Sequence, residues 1–413
     1  MNTKQRKQVI FLNKPDENRK PLTMSRSLIL LFAVSCGLSV ANIYYAQPLL
    51  DAIASEFAIP PSFIGLVVTI TQICYALGLL LLVPLGDLLN RRWLIPGQML
   101  LSVGALTAVG LAPSSTVVFI GLAFVGLLAV VAQTLVAFAA TLAIPAERGR
   151  TLGLVTGGIV IGILLARSVA GVLTDFTGWR SVYLFSAGLT FILAGILFGM
   201  LPSENRREES LSYRRLLRST LALFFKEPVL RVRALLALLI FTDFSILWTS
   251  LVFPLSAPPL SLSHTAVGAF GLAGIAGALA ATRAGQLADR GTGQVTTGAA
   301  LILLLASWYP ISRIQHSIPV LIIGIVLLDL AVQAVHVTNQ SMILSVRQEA
   351  RSRLTGGYMM FYSFGSALGS IASTFTYELA GWRGICILGA GVSALAILFW
   401  WMTRGCQPGL KSS

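Results

Sequence analysis

Apolar residues in this chain do not alternate with polar ones. They come in unbroken blocks of about twenty, separated by short polar stretches. The blocks cover Ser27–Leu50, Phe63–Leu85, Leu94–Ala112, Thr116–Thr141, Gly153–Thr174, Ser181–Leu201, Ala234–Phe253, Thr265–Arg283, Thr296–Ile311, Ile318–Leu344, Gly356–Tyr377 and Ile385–Met402. A helix rises about 1.5 Å per residue, so about 20 residues cross the roughly 30 Å hydrocarbon layer of a bilayer. Twelve membrane-spanning helices are therefore predicted, with Thr296–Ile311 short for a span. The division that follows is a basic tail (1–26), a six-helix bundle (27–201), a basic linker (202–232), a second six-helix bundle (233–403) and a short tail (404–413).

Composition agrees with that reading. Of 413 residues only 11% are charged and 55% are hydrophobic, whereas soluble domains carry about 25% charged residues. A water-facing surface cannot be made from so few charges. The net charge of +14 taken alone suggests a nucleic-acid or anionic-surface partner, but the positions of the cations argue otherwise. Successive loops alternate between basic and nearly cation-free. The first tail has seven Lys and Arg. The central stretch has eight (Arg206, Arg207, Arg214, Arg215, Arg218, Lys226, Arg231 and Arg233). In all, twenty-six of thirty fall on one side, three (Arg180, Arg313 and Arg383) fall on the other, and Arg167 lies within a span. Basic loops stay in the cytoplasm during insertion, so both termini are expected inside. The first 26 residues are polar and basic, unlike a cleavable signal peptide.

The two halves repeat each other. Asp175-Phe-Thr-Gly-Trp-Arg180 matches Glu378-Leu-Ala-Gly-Trp-Arg383 at an offset of 203, and Glu147 and Glu349 stand 202 apart. Six spans return the chain to its starting side, so the repeat is parallel. That is a transporter architecture, with a site between the halves near the bilayer midplane.

Pro84-Leu-Gly-Asp-Leu-Leu-Asn-Arg-Arg92 and Gly285-Gln-Leu-Ala-Asp-Arg-Gly-Thr-Gly293 occupy equivalent loops of the two halves. Both resemble the Gly-x-Leu-Ala-Asp-Arg-x-Gly-Arg-Arg loop of the major facilitator superfamily. Asn42-Ile-Tyr-Tyr-Ala-Gln-Pro-Leu-Leu50 is similar to a stretch in bacterial drug:proton antiporters and sugar exporters. The resemblance implies an all-α membrane fold of two pseudo-symmetric six-helix bundles, and a cytoplasmic gate latched by Asp87, Arg91, Arg92, Gly285, Asp289 and Arg290. The sequence departs from the loop pattern at Val83, Leu88, Asn90 and Gln294. Where such antiporters carry Gly-Pro-x-x-Gly-Gly, this chain has Ala166-Arg-Ser-Val-Ala-Gly171. The small residues Gly153, Gly157, Gly158, Gly162 and Gly171 around it suit close helix packing.

Three charges fall well inside spans: Arg167, Asp243 and Asp329. A charge in hydrocarbon costs at least about 2.5–3.5 kcal/mol, so such residues face a watery cavity or each other. Asp329, Gln333, His336 and Gln340 fall on one face of the tenth span, as a cavity wall would. The alternative is that they bond neighbouring helices. Ser39 and Asn42 share a face of the first span with Tyr45 nearby, and they are candidate substrate contacts. The resemblance implies that spans one, four, seven and ten line the cavity.

No Walker loop, nucleophile elbow or clustered metal set is visible, so neither an enzyme nor a resident cofactor is expected. The expected function is proton-coupled efflux of a small organic solute across a bacterial inner membrane. The proton gradient would be the energy source, lipid the surroundings, and the working unit a monomer without nucleic acid. Import or uniport by the same fold, and a receptor that binds without transporting, are the rival readings.

Overall fold

The computed structural model describes residues 25–144, 147–202, 213–287, 292–346 and 351–405, and every regular element among them is helical. Among the described residues ten helices are long and apolar enough to cross a membrane. In the first bundle these are α1 (Arg26–Phe57), α2 (Pro61–Leu81), α3 (Arg91–Gly110), α4 (Ser115–Leu142), α5 (Arg148–Thr177) and α6 (Trp179–Met200). The second bundle begins with α7 (Pro228–Ser256) and continues with α9 (Gly293–Ile311) and α10 (Ile318–Leu344). Between them α8 (264–287) is built in pieces: a short helix His264–Ala269, a 3₁₀ turn Phe270–Ala273 and a helix Gly274–Leu287. The last helix, Arg351–Thr403, is broken at Gly381 into α11 (351–380) and α12 (382–403). Its second part runs back along α9, where Gly389 meets Trp308 and Gly298 meets Trp400. Counted this way, the described residues form twelve helical segments in place of the twelve apolar blocks, and α9 gains the turn that the block at Thr296 lacked.

The repeated Gly-Trp-Arg sequence is the same corner made twice. Gly178 (φ 83°) separates α5 from α6, and Gly381 (φ 58°) separates α11 from α12. A side chain at positive φ is strained, which is why glycine stands at both corners. Each following tryptophan ties its corner down. Trp179 Nε1 donates to Glu56 Oε2 at 2.6 Å, and Trp382 Nε1 donates to the Ile311 carbonyl at 3.1 Å.

Between residues 202 and 232 the described chain carries a helix, Tyr213–Lys226. Arg233, grouped above with the linker cations, lies instead inside α7. It is 1% exposed, and its Nη1 donates to Asn339 Oδ1 at 3.3 Å. A buried acceptor on α10 draws it in, where charge counting alone places it in a loop.

Within the first bundle α1 and α5 touch backbone to backbone. A Cβ at Gly158 would stand 2.1 Å from the Ala33 carbonyl oxygen, and one at Gly162 would stand 2.2 Å from that of Gly37. Gly158→Ala is therefore expected to push the two helices apart. Overpacking costs about 1–3 kcal/mol, and thermal unfolding in detergent should show a lowered midpoint for the variant. An unchanged midpoint would contradict the contact.

The bundles meet in the half of the molecule away from the basic loops, here called the far side. Ser370 Oγ donates to the Gly65 carbonyl at 2.9 Å, Thr374 Oγ1 to that of Ser62 at 3.0 Å, and Thr69 Oγ1 to that of Ala367 at 3.0 Å, all between α2 and α11. Between α5 and α8, Ser168 Oγ donates to the Gly268 carbonyl at 3.1 Å. Toward the basic side, Gln333, His336 and Gln340 of α10 are half-buried, while Gly153, Leu154 and Ile161 of α5 line a groove against α1 and α6 of their own bundle. The chain is therefore closed at its far side.

Candidate functional site

Arg167 sits on α5 at the seam between the bundles and is 2% exposed. A buried guanidinium needs compensation on its faces and at its N–H groups. Its faces meet aromatic rings. Cζ lies 3.9 Å from the ring centre of Trp248, 5.3 Å from that of Tyr44 and 5.5 Å from that of Phe244. Such contacts are worth about 0.5–2 kcal/mol each, most when desolvated. At its edge, Nε donates to Gln47 Oε1 at 2.9 Å. Nη2 is buried and has no hydrogen-bond partner among the described residues.

The tryptophan joins this cation to a carboxylate. Trp248 Nε1 donates to Asp329 Oδ1 at 3.1 Å, so the indole offers its π-face to Arg167 and its N–H to Asp329. Asp329 is 3% exposed. The cation comes from the first bundle, while the tryptophan and the carboxylate come from the second. Sequence spacing explains the placement. Phe244 and Trp248 are four apart on α7, and Tyr44 and Gln47 three apart at the end of α1, so each pair shares a face. Glycines of α8 make room: a Cβ at Gly268 would stand 2.3 Å from the Arg167 carbonyl oxygen, and one at Gly274 would stand 3.1 Å from Asp329 Oδ2. Tyr44 and Tyr362 join their hydroxyls across the same seam.

A buried cation and carboxylate on opposite bundles suit a carrier that binds between them. Comparison with known proteins agrees. The sequence profile of the Major Facilitator Superfamily matches residues 29–309 and 234–411. The chain belongs to the major facilitator superfamily. It is 45% identical over 390 residues to a putative uncharacterized transporter, YgaY, of Escherichia coli (strain K12), covering 94% of this chain and 98% of that one. It is 31% identical to a probable transporter of Streptomyces coelicolor over 93% of this chain and 88% of that one. A bacterial homolog of the human lysosomal transporter Spinster, solved inward-facing and unoccupied, superposes with a TM-score of 0.78. It covers 96% of this chain and 100% of that one at 14% identity, a likeness of fold. The protein is thus a multi-pass membrane transporter and not an enzyme.

In this major facilitator chain the tenth-span stripe stays on one helix face. Below Asp329, Gln333 packs on Gly277 of α8. His336 Nδ1 lies 2.9 Å from the Tyr358 hydroxyl, and its Nε2 lies 3.3 Å from Gln340 Nε2. Phe241 stands edge-on to the imidazole at 5.2 Å. The stripe thus has structural bonds and half-exposed groups together.

Asp243 is placed elsewhere. It is wholly buried inside the second bundle, where Trp308 Nε1 of α9 donates to its Oδ1 at 3.1 Å and the Ser393 hydroxyl of α12 donates to its Oδ2. At 100° per residue it points about 140° away from Trp248 on the same helix, so it does not share the Arg167 seam. Ser39 and Asn42 also turn inward. Ser39 Oγ donates to the Ser35 carbonyl at 2.7 Å, and Asn42 Oδ1 accepts from Ser186 Oγ of α6 at 2.6 Å. Tyr45 is buried in the first-bundle core, and the neighbouring Tyr44 is the one that faces Arg167.

Of the gate-loop residues, Arg91 is 4% exposed. Its Nε donates to the Gly86 carbonyl at 2.8 Å and its Nη1 to Thr141 Oγ1 of α4 at 3.1 Å. Asn90, a departure from the family pattern, caps α3 by accepting the Arg92 backbone N–H at 3.0 Å. Asp289 and Arg290 lie outside the described residues, as do the side chain of Asp87 and the surroundings of Gly285.

Sequence reasoning did not select Gln47, Phe244, Trp248 or Tyr362. Nor did it select Tyr44. One signal was available: Phe244 and Trp248 lie at helical spacing on the predicted seventh span.

Proposed function

We propose that this protein exports a small organic solute in exchange for protons by alternating access, with Asp329 as the group for which solute and proton compete. The observation that carries the reading is the Arg167–Trp248–Asp329 constellation across the two bundles. A donor on the solute binds the ionised carboxylate more strongly than the acid, because a proton on Asp329 takes one oxygen and the charge. The two therefore compete, which is the requirement for exchange. Arg167 Nη2, buried and without an acceptor among the described residues, is a donor for the other end of the solute. The side with the basic loops is taken as cytoplasmic, and the membrane as the bacterial inner membrane. A single chain supplies both bundles, so a monomer is the working unit.

Inverted vesicles from expressing cells test this. Respiration acidifies their lumen, and an acridine dye reports the gradient. Across a panel of small polar solutes, at least one is expected to dissipate part of the gradient when added outside, in expressing vesicles only. Solute entry without loss of the gradient would point to uniport or to uptake coupled with protons in the cell. Binding without flux would point to a receptor.

A further inference from the structure

A second ionisable cluster lies on the far side, apart from the seam site. His264 opens α8, in the second bundle. Its Nδ1 lies 3.2 Å from Asp175 Oδ1, and its Nε2 lies 3.2 Å from Asp51 Oδ1. Both carboxylates belong to the first bundle, Asp175 at the end of α5 and Asp51 near the end of α1. Asp175 also accepts the backbone N–H of His264 at 3.1 Å and that of Thr265 at 2.8 Å. Gly171 permits the approach, since a Cβ there would stand 2.1 Å from the His264 carbonyl oxygen. The histidine keeps 24% of its side chain in contact with solvent, as does Asp51, and Asp175 keeps 27%.

The protonation state follows from the count of donors. A neutral imidazole has one N–H and one lone pair. Between two carboxylates it donates to one and turns its lone pair on the other. The imidazolium donates to both. Closing the far side around His264 therefore takes up a proton. The other elements packed here, the turn Gln47–Leu49 and the end of α7 at Val252–Ser256, bring no titratable side chain. Glu56 is engaged by Arg180 Nη2 at 2.6 Å and by Trp179. Arg167, lower on α5, is turned to Trp248.

We propose that His264 is a proton-binding site, separate from the seam site, whose occupancy locks the two bundles together at the far side through Asp51 and Asp175. Low pH on that side closes the gate, and high pH loosens it. In the exchange cycle proposed above, an acidic exterior would then drive the emptied carrier back to face the cytoplasm. The lock itself does not depend on that cycle.

The test uses the full chain in liposomes, on a background lacking Cys74 and Cys406. Spin labels are placed at Ser114→Cys and Gln315→Cys, exposed far-side positions on opposite bundles. Electron–electron distances are read at pH 5.5 and 8.5. One linked proton shifts the closed-to-open ratio by up to about tenfold per pH unit within its titration range. The short-distance population should rise at least threefold toward pH 5.5 in the parent. In H264Q that rise should disappear, and in D51N it should shrink. H264R, with a fixed charge, should stay closed at both pH values. In D329N the rise should persist, which separates this site from the proposed transport function. A rise that survives in H264Q, or no rise in the parent, would overturn the lock.

Discussion

Replacing Asp329 with Asn should abolish solute flux driven by a pH gradient, while downhill exchange persists only at raised solute concentration because the amide is a weaker acceptor. Asn keeps an oxygen to accept from Trp248 Nε1, now 3.1 Å from Asp329 Oδ1, but it cannot bind or release a proton. Coupling by competition for that oxygen is then lost, and the gradient-driven component should fall by tenfold or more. The measurement is concentrative uptake into inverted proteoliposomes with and without an imposed gradient. Asp243→Asn is the informative control. Asp243 is held by Trp308 and Ser393 inside one bundle, so that variant should alter thermal stability with coupling retained. If D329N keeps full coupling and D243N loses it, the proton belongs to Asp243 and the seam assignment fails.

The second large effect is expected at Arg167. Lysine preserves the charge but has no planar fork to lie on Trp248 at 3.9 Å while donating to Gln47 at 2.9 Å. The lost stacking and charge-assisted hydrogen bond amount to about 2–3 kcal/mol. Arg167→Lys should therefore lower transport by roughly 30- to 150-fold with the protein still folded, and Arg167→Ala should go further. Trp248→Phe keeps a face for the guanidinium and removes the N–H from Asp329, so its loss should be smaller. Flux at saturating solute, paired with circular dichroism, separates a transport defect from a folding one. Parental flux in Arg167→Lys would show that the guanidinium geometry is not used.

The spans were legible because a bilayer imposes length and apolarity, and because the cations mark alternate loops. The corners at Gly178 and Gly381 could be found by comparing the halves. The midspan charges were visible as exceptions, since a chain with 11% charged residues has few to explain. Their pairing was not visible. Whether Asp243 or Asp329 shares the seam depends on helix rotation, which a uniformly apolar helix does not encode in its hydrophobic pattern. The same ambiguity exchanged Tyr45 for Tyr44, one residue and about 100° apart. Trp248 was hidden because an aromatic residue in an apolar run looks like any other lipid-compatible side chain. His264 escaped notice because its two partners lie 89 and 213 residues away.

The two halves repeat each other in sequence but are unequal in charge, and this bears on how the chain is made. The first bundle is threaded into the membrane before α7 exists. Until then its Arg167 has Tyr44 and Gln47 beside it but neither Trp248 nor Asp329. The half-made protein therefore carries an unneutralised cation on the surface that later becomes the seam. Each half is left incomplete in a way that only the other can remedy. A chain truncated after α6 would present that flaw to the cell's quality control.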